Sequence, residues 1–291
     1  MIFNKIKTFI LLASLSGLLM LLGGLFAGQS GIQVAFIMAL VFNGIAYFFS
    51  DRIVLSMYRA QPLNQEQYGW IYDIVHDLAQ SMHLPMPKLW LIHNAMANAF
   101  ATGRNPKHAS IALTTGIIDL LDQDELRGVL AHEMAHIYNR DILISTIAAT
   151  LATAIGYLAN MLRWSALWGS SHDRKRNENP LGLLLVGILM PIAAMIIQLA
   201  ISRSREYLAD ETGAHACHDP LALASALEKL HNHLPHAHLH NANGQHASTA
   251  SLFIVHPFTS SSWSALFSTH PPMSSRVARL RALYEKMFPL A

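Results

Sequence analysis

Charged side chains are missing from three long stretches of this chain, and those stretches set its organisation. No Asp, Glu, Lys or Arg occurs between Lys7 and Asp51, between Asp141 and Arg163, or between Glu178 and Arg203. The first stretch holds two apolar segments, Phe9 to Phe26 and Ile32 to Phe49, parted by Ala27-Gly28-Gln29-Ser30-Gly31. A helix of about 18 residues spans about 27 Å, close to the hydrocarbon thickness of a bilayer. The pattern predicts a transmembrane helical hairpin over residues 1–50. A signal peptide would end sooner than the first segment does, and a buried hairpin of a soluble core is the competing reading. The other two stretches carry the apolar runs Ile142 to Leu162 and Leu181 to Ile201. They predict a second hydrophobic hairpin over residues 142–201, kinked at Pro191 and either inserted or packed on protein.

Outside these runs the periodicity is that of an aqueous domain in two parts, residues 51–141 and 202–291. Tyr68, Ile71, Ile74, Val75, Leu78, Ala79 and Met82 recur at helical spacing until Pro85 and Pro87 stop them. Lys88 to Ile92, Ala97 to Gly103 and Ser110 to Thr114 read as strands. Asp122 with Glu125 three residues on makes a capping box, with Leu121 and Leu126 as its staple, and starts a helix over Gln123 to Tyr138. Asp219-Pro220 starts another helix, and Ser274 is positioned to cap the last one. The expected fold class is α+β: a multi-pass helical membrane protein whose aqueous domain holds a small β-sheet.

Composition agrees with a membrane protein. Hydrophobic residues are 52% of the 291 and charged residues 13%, half the usual ~25%. A disordered tail and a disulfide-stapled secreted module are excluded. Net charge is +2, with no basic run beyond Arg174-Lys175-Arg176, so nothing marks a nucleic-acid partner. The single cysteine, Cys217, fits a reducing compartment. Lys5 and Lys7 precede the first helix, Arg52 and Arg59 follow the second, and the turn between is uncharged. By the positive-inside bias the aqueous domain faces the cytoplasm. The basic link Arg163 to Asn179 opposes full insertion of the second hairpin.

The chemistry concentrates in His132-Glu133-Met134-Ala135-His136, on the capped helix. Histidines four apart share one helix face, so both imidazoles can reach one ion, and neutral imidazole suits zinc. Glu133 stands beside the pair and can take a proton from a water at the ion without being a ligand. A catalytic zinc site needs a third protein ligand. Glu206 offers one, on a segment where Asp210 shares its face and can accept a hydrogen bond from an outer imidazole nitrogen. His215 and His218 are rival ligands. His136 lies just before the third apolar run and Glu206 just after the fourth, so the two return to one side if both runs span or if neither does.

These residues carry a resemblance that covers nearly the whole chain. The sequence resembles the HtpX-type membrane-bound zinc metalloproteases of bacteria, relatives of the CAAX prenyl endoproteases. The likeness rests on the two N-terminal spans, Asn98 to Gly103, His132 to His136 followed by Asn139-Arg140-Asp141, Glu206 to Asp210, and Thr269-His270-Pro271-Pro272 before Arg276. It implies a zincin-like cytoplasmic metalloprotease domain on a bacterial inner-membrane anchor, acting in envelope quality control. One catalytic zinc per chain is then held by His132, His136 and Glu206, with Glu133 as general base and membrane or misfolded proteins as substrates. Asn98 to Gly103 looks like the edge strand on which such enzymes align substrate, with Asn98, Ala99 and Phe100 as contacts; a structural strand turned by Gly103 is the other reading. For His270 and Arg276 two roles stand open, stabilising the oxyanion or fixing the approach to the last helix. Oligomeric state has no signature.

A metal transporter is the alternative suggested by four apolar runs and many histidines. It would need ionisable groups inside the spans, and the runs offer only Asn43, Asn160 and Gln198 beyond small hydroxyls. An inactive scaffold with a structural zinc is disfavoured by the presence of Glu133. The tract from His231 to Thr249, residues 231–249, holds six histidines at irregular spacing among Asn, Ala and Gly. An ordered metal site needs ligands held by local structure and outer contacts. The tract is therefore expected to be dispensable: replacing its six histidines with Asn should leave tightly bound zinc per chain and proteolytic rate unchanged. Loss of one zinc equivalent, or about a tenfold fall in rate, would make it a working part.

Overall fold

The computed structural model describes residues 2–151, 155, 202–233 and 271–289. The fourth apolar run, His270 and all but the first three residues of the histidine tract lie outside them; His231 to His233 end a helix.

Residues Ile2–Met57 form α1, broken at Ala27 and Gly28. Gly28 adopts φ 59°, ψ −140°, a conformation that a β-carbon would oppose. Beyond the break the helix doubles back, and Asn43 donates from Nδ2 to Ser16 Oγ at 2.8 Å. That is a polar clasp between two apolar helices of the kind membrane pairs use. Val34, Ile37, Leu40, Val41 and Phe42 stay exposed on the returning half. Ala27–Met57 is, among the described residues, the one helix long and apolar enough to cross a bilayer; Thr8–Leu21 is apolar but shorter.

The sheet has four strands, β1 Gln61–Pro62, β2 Lys88–Ile92, β3 Ala99–Gly103 and β4 Ala109–Thr114, in the order β1-β2-β4-β3. β2 and β4 are parallel, while β3 pairs antiparallel with β4 and is an edge. The three expected strands are present. The two-residue β1 and the short helix α3, Thr115–Leu120, are too brief to leave a periodic signal.

Alternation along the strands gives the sheet two working faces. Leu89, Leu91, Ala101, Ile111 and Leu113 join the main core with α2, Gly69–Ser81, and α4, Gln123–Tyr138. Ile92, Phe100 and Ala112 face the other way. They pack against Val54 and Leu55 at the end of α1 and Ala149 of α5, Ile142–Leu151. The third apolar run is thus helical over its described part.

The predicted capping box opens α4. Asp122 Oδ1 accepts from Glu125 N at 2.9 Å, and Glu125 Oε2 accepts from Asp122 N at 3.1 Å. Glu125 also accepts from Ser225 Oγ and Lys229 Nζ, both at 2.6 Å. It thereby ties α7, Pro220–His233, to the start of α4. The last helix, α8, is Met273–Met287. Its N-cap is Pro272 without a side-chain bond, so Ser274 lies inside the first turn and does not cap it.

α6, Arg203–Cys217, crosses α4 where Gly213 lies on the backbone of Ala131 and His132. A β-carbon there would stand 2.8 Å from His132 N and 2.9 Å from Ala131 C. Neither backbone atom can move without shifting α4. Gly213→Ala is therefore expected to lower stability by about 1–3 kcal/mol and to reduce metal occupancy, both read by denaturation and zinc analysis. An unchanged zinc content would show that the crossing tolerates spreading.

Candidate metal centre

His132 and His136 project from one face of α4, and Glu206 from the first turn of α6 reaches the same point. His132 Nε2 and His136 Nε2 are 3.2 Å apart. Glu206 Oε2 is 3.8 Å from the first and Glu206 Oε1 3.6 Å from the second. Donors bonded to a tetrahedral zinc at 2.0–2.1 Å stand about 3.4 Å from one another. The donor set therefore fits one such ion, and the three ligand atoms all lie within 4.8 Å of each other. His215 and His218 are not in the group.

Each imidazole is held from behind by a carboxylate. His132 Nδ1 donates to Asp210 Oδ1 at 2.9 Å. Asp210 lies one helical turn after Glu206, so α6 supplies both the ligand and the group that orients its neighbour. His136 Nδ1 faces Asp141 Oδ2 at 3.5 Å. Asp141 reaches there through the end of α4. Arg140 takes φ 62°, Arg140 N donates to the Ile137 carbonyl at 3.2 Å, and Asp141 N donates to the His136 carbonyl at 3.0 Å. This is the Schellman closure of a helix, and it folds Asp141 back beneath His136.

Arg276 sits elsewhere than a cleft role requires. Its guanidinium has no exposed surface and forks onto Asp210, Nε to Oδ2 at 2.8 Å and Nη2 to Oδ1 at 2.6 Å. Nη1 is 3.9 Å from Glu206 Oε2. The guanidinium therefore acts through Asp210, holding it against His132, and of the two roles left open for it, contact with an oxyanion is not its place in this structure. Arg205 is the counterpart on the other side, 3.9 Å from Asp141 Oδ1.

Glu133 lies at the sheet edge, its Oε2 accepting from Ala101 N at 2.7 Å. Outward-facing backbone on β3 thus belongs to the odd residues. Asn98 is committed to β4, donating to Thr114 Oγ1 at 2.9 Å and accepting from Thr114 N at 3.0 Å. Phe100 turns its ring into the second core beside Tyr58. Ala99 is fully buried and shares the outward register with Ala101. Sequence reasoning took Asn98 to Gly103 as the edge strand but named only Asn98, Ala99 and Phe100 as its contacts, leaving out Ala101 and the orienting role of Asp141. The first depends on the register of β3 on β4 and the second on the helix-end geometry.

Charge balance tests the fit further. Four carboxylates of this cluster (Glu133, Asp141, Glu206 and Asp210) are buried, against the guanidiniums of Arg205 and Arg276. Two negative charges remain, the number a divalent cation neutralises. Without a cation, protons meet the surplus. Burial pushes Glu133 up to about 7, with Glu206 adding to the rise. Burial opposes a charge on His136, but Asp141, Glu206 and Glu133 outweigh it and lift that group to about 9. Burial lowers His132, which leaves its Nε2 an acceptor for the His136 proton. Burial also works against the Asp210 charge, yet Arg276 and the His132 bond hold it at about 2.

Helix pair, edge strand and donor set together define a metallopeptidase. Comparison with known proteins agrees. Residues 65–284 match peptidase family M48. The protease HtpX homolog of Syntrophobacter fumaroxidans is 52% identical over 283 residues, covering 96% of this chain and 99% of that one. The protease HtpX of Legionella pneumophila strain Philadelphia 1 is 47% identical over 281 residues, covering 97% and 99%. Among solved structures, S. mikatae Ste24p shares the fold at a TM-score of 0.51 and 18% identity, covering 96% of this chain and 66% of that one. The chain belongs to peptidase family M48 and is a metalloendopeptidase of the HtpX type.

Two outcomes follow from the outer contacts. Asp210→Asn and Arg276→Lys should each weaken zinc binding by about 10- to 100-fold, measured by chelator competition; Arg276→Lys keeps the charge but loses the fork. Zinc must also displace the extra proton on His136, and its charge disfavours the one on Glu133 nearby. Affinity should therefore rise with pH across the window from about 7 to about 9. A flat profile there would contradict the charge balance.

Proposed function

We propose that this chain is a multi-pass inner-membrane zinc endopeptidase of bacteria. It cleaves membrane or misfolded proteins in envelope quality control, with its site facing the cytoplasm. The observation that carries the reading is the placement of Glu133 between the ligand pair and the outward backbone of β3. A metallopeptidase uses a base beside its metal, and an edge strand can align an extended substrate; this arrangement supports both.

His132, His136 and Glu206 would hold one zinc. When bound, zinc supplies a Lewis acid that polarises the scissile carbonyl and makes water acidic. Glu133 performs the proton transfers. Ala101 N–H fixes its Oε2, and Oε1 takes a proton from the attacking water and later gives one to the leaving amine. Burial of Glu133, which already favours its protonated form, suits it to that second step. With the Ala101 N–H given to Glu133, the outward groups of Ala99 and the Ala101 carbonyl would pair with an extended substrate backbone. The apolar helix Ala27–Met57 and the charge bias around it support the anchor and its orientation.

Glu133→Gln should abolish peptide hydrolysis while zinc stays bound, because Gln keeps size and polarity but accepts no proton. His136→Ala should lose both. The assay uses detergent-solubilised protein, an unfolded polypeptide substrate and zinc analysis. Equal zinc loss in the two variants would make Glu133 a structural residue and overturn the mechanism.

A further inference from the structure

The last turns of α1 and the strand β3 run side by side in opposite directions. Arg104, just past β3, holds its guanidinium 5.4 Å from the centre of the Phe48 ring. Further along, Tyr58 lies 5.5 Å from Phe100. Ten helical residues rise about 15 Å and four strand residues about 13 Å, so both contacts can be made by one straight alignment. Val54 and Leu55 are buried between them against Phe100, Ile92 and Ala112. β3 therefore descends along α1 from the Glu133 contact at Ala101 to the level of Phe48.

That level coincides with the end of the span. About 20 residues cross a bilayer, and counting them from the break at Gly28 reaches Phe48. Tyr47, Phe48 and Phe49 are exposed there. Arg52 follows, exposed and 5.7 Å from the Phe49 ring. The turn between β3 and β4 brings Arg104 and the exposed Lys107 to the same height. Ion pairs of the aqueous domain use Arg127, Arg205, Lys229, Arg276 and Arg281. Among the described residues none engages Arg52, Arg104 or Lys107. The turn is nonetheless ordered from within. His108 Nδ1 donates to Asn105 Oδ1 at 2.9 Å, which leaves its Nε2 to accept from Arg104 Nη2 at 3.0 Å.

We propose that Arg52, Arg104 and Lys107 form a platform for anionic phospholipid headgroups that seats the site-bearing strand on the bilayer surface. This rests on the membrane placement proposed above. Cations with no carboxylate partner among the described residues, set around exposed rings at the end of an apolar span, match a phosphate layer over hydrocarbon. Ala101 is three strand residues, about 10 Å, beyond Arg104. Headgroup binding would thus fix the height at which a segment leaving the bilayer meets Glu133. Cleavage of membrane-tethered substrates becomes sensitive to lipid charge, and cleavage of free peptides does not.

The test uses the full-length zinc-loaded protein in phosphatidylcholine nanodiscs with an increasing fraction of phosphatidylglycerol. The probe is phosphatidylglycerol with a photoreactive headgroup, its crosslinks mapped by mass spectrometry. Wild type should crosslink at Arg52 and within residues 104–108, and its rate on a membrane-tethered peptide should rise in step. Removing Arg104 and Lys107 as Gln should raise the half-saturating lipid fraction by about fivefold per cation, whereas Arg104→Lys should stay near wild type. Soluble-peptide rate and zinc content should be unchanged in all of them, which also shows that the variants fold. Crosslinks at other segments, or ones indifferent to these substitutions, sink the platform alone. Failure to enter nanodiscs, or inactivity on soluble peptide in detergent, sinks the membrane-protease reading and the platform with it.

Discussion

The fork of Arg276 on Asp210 is the contact on which the metal centre depends. A carboxylate with almost no access to water keeps its charge only beside a matching cation, and this guanidinium supplies two bonds to it. Asp210 then fixes the tautomer of His132 by accepting from Nδ1, which leaves Nε2 turned toward His136 and Glu206. One helix from the far end of the chain, α8, is thereby locked to α6 and α4. Closing the core and building the ligand set are the same event.

The second constraint is electrical. Burying more carboxylates than guanidiniums leaves a surplus that the fold cannot discharge by itself. It is met by protons on Glu133 and His136 or by a dication between the ligands. The groups protonated without a dication are His136, in the candidate ligand set, and Glu133 beside it. The site is balanced for a metal because its polar partners are few and its surroundings dry.

The sheet divides this chemistry from the hydrophobic anchor. One face carries the main core with α4, and the other receives α1 and α5. β3 takes part in both. Ala101 offers its N–H to Glu133, while Phe100, one residue earlier, packs against the helix that runs into the apolar span. Period-two alternation is enough to couple the anchor to the site through a single strand. Thr146 of α5 adds to that coupling by accepting from Gly103 N at 3.3 Å.

Local rules decided much of this molecule in advance. The capped helix over Gln123 to Tyr138, the strand Lys88 to Ile92, the break after the first apolar segment and the pairing of His132 with His136 were all legible. Each depends on neighbours within a few residues: caps, alternation, glycine, and a helical repeat that puts positions four apart on one face. The candidacy of Glu206 and Asp210 was legible by the same repeat. Their distance from the histidines was not, because it is set by Gly213 letting α6 lie on the α4 backbone. The role of Arg276 stayed open, since sequence gives a charge but not its depth; only packing buried it behind Asp210. The contacts of Asp141 and Ala101 were passed over because a helix-end turn and a strand register determine which atoms face His136 and Glu133. Short-range order belongs to the sequence, whereas the burial that gives a charge its partner is decided by the tertiary fold, where solvation is lost and must be replaced.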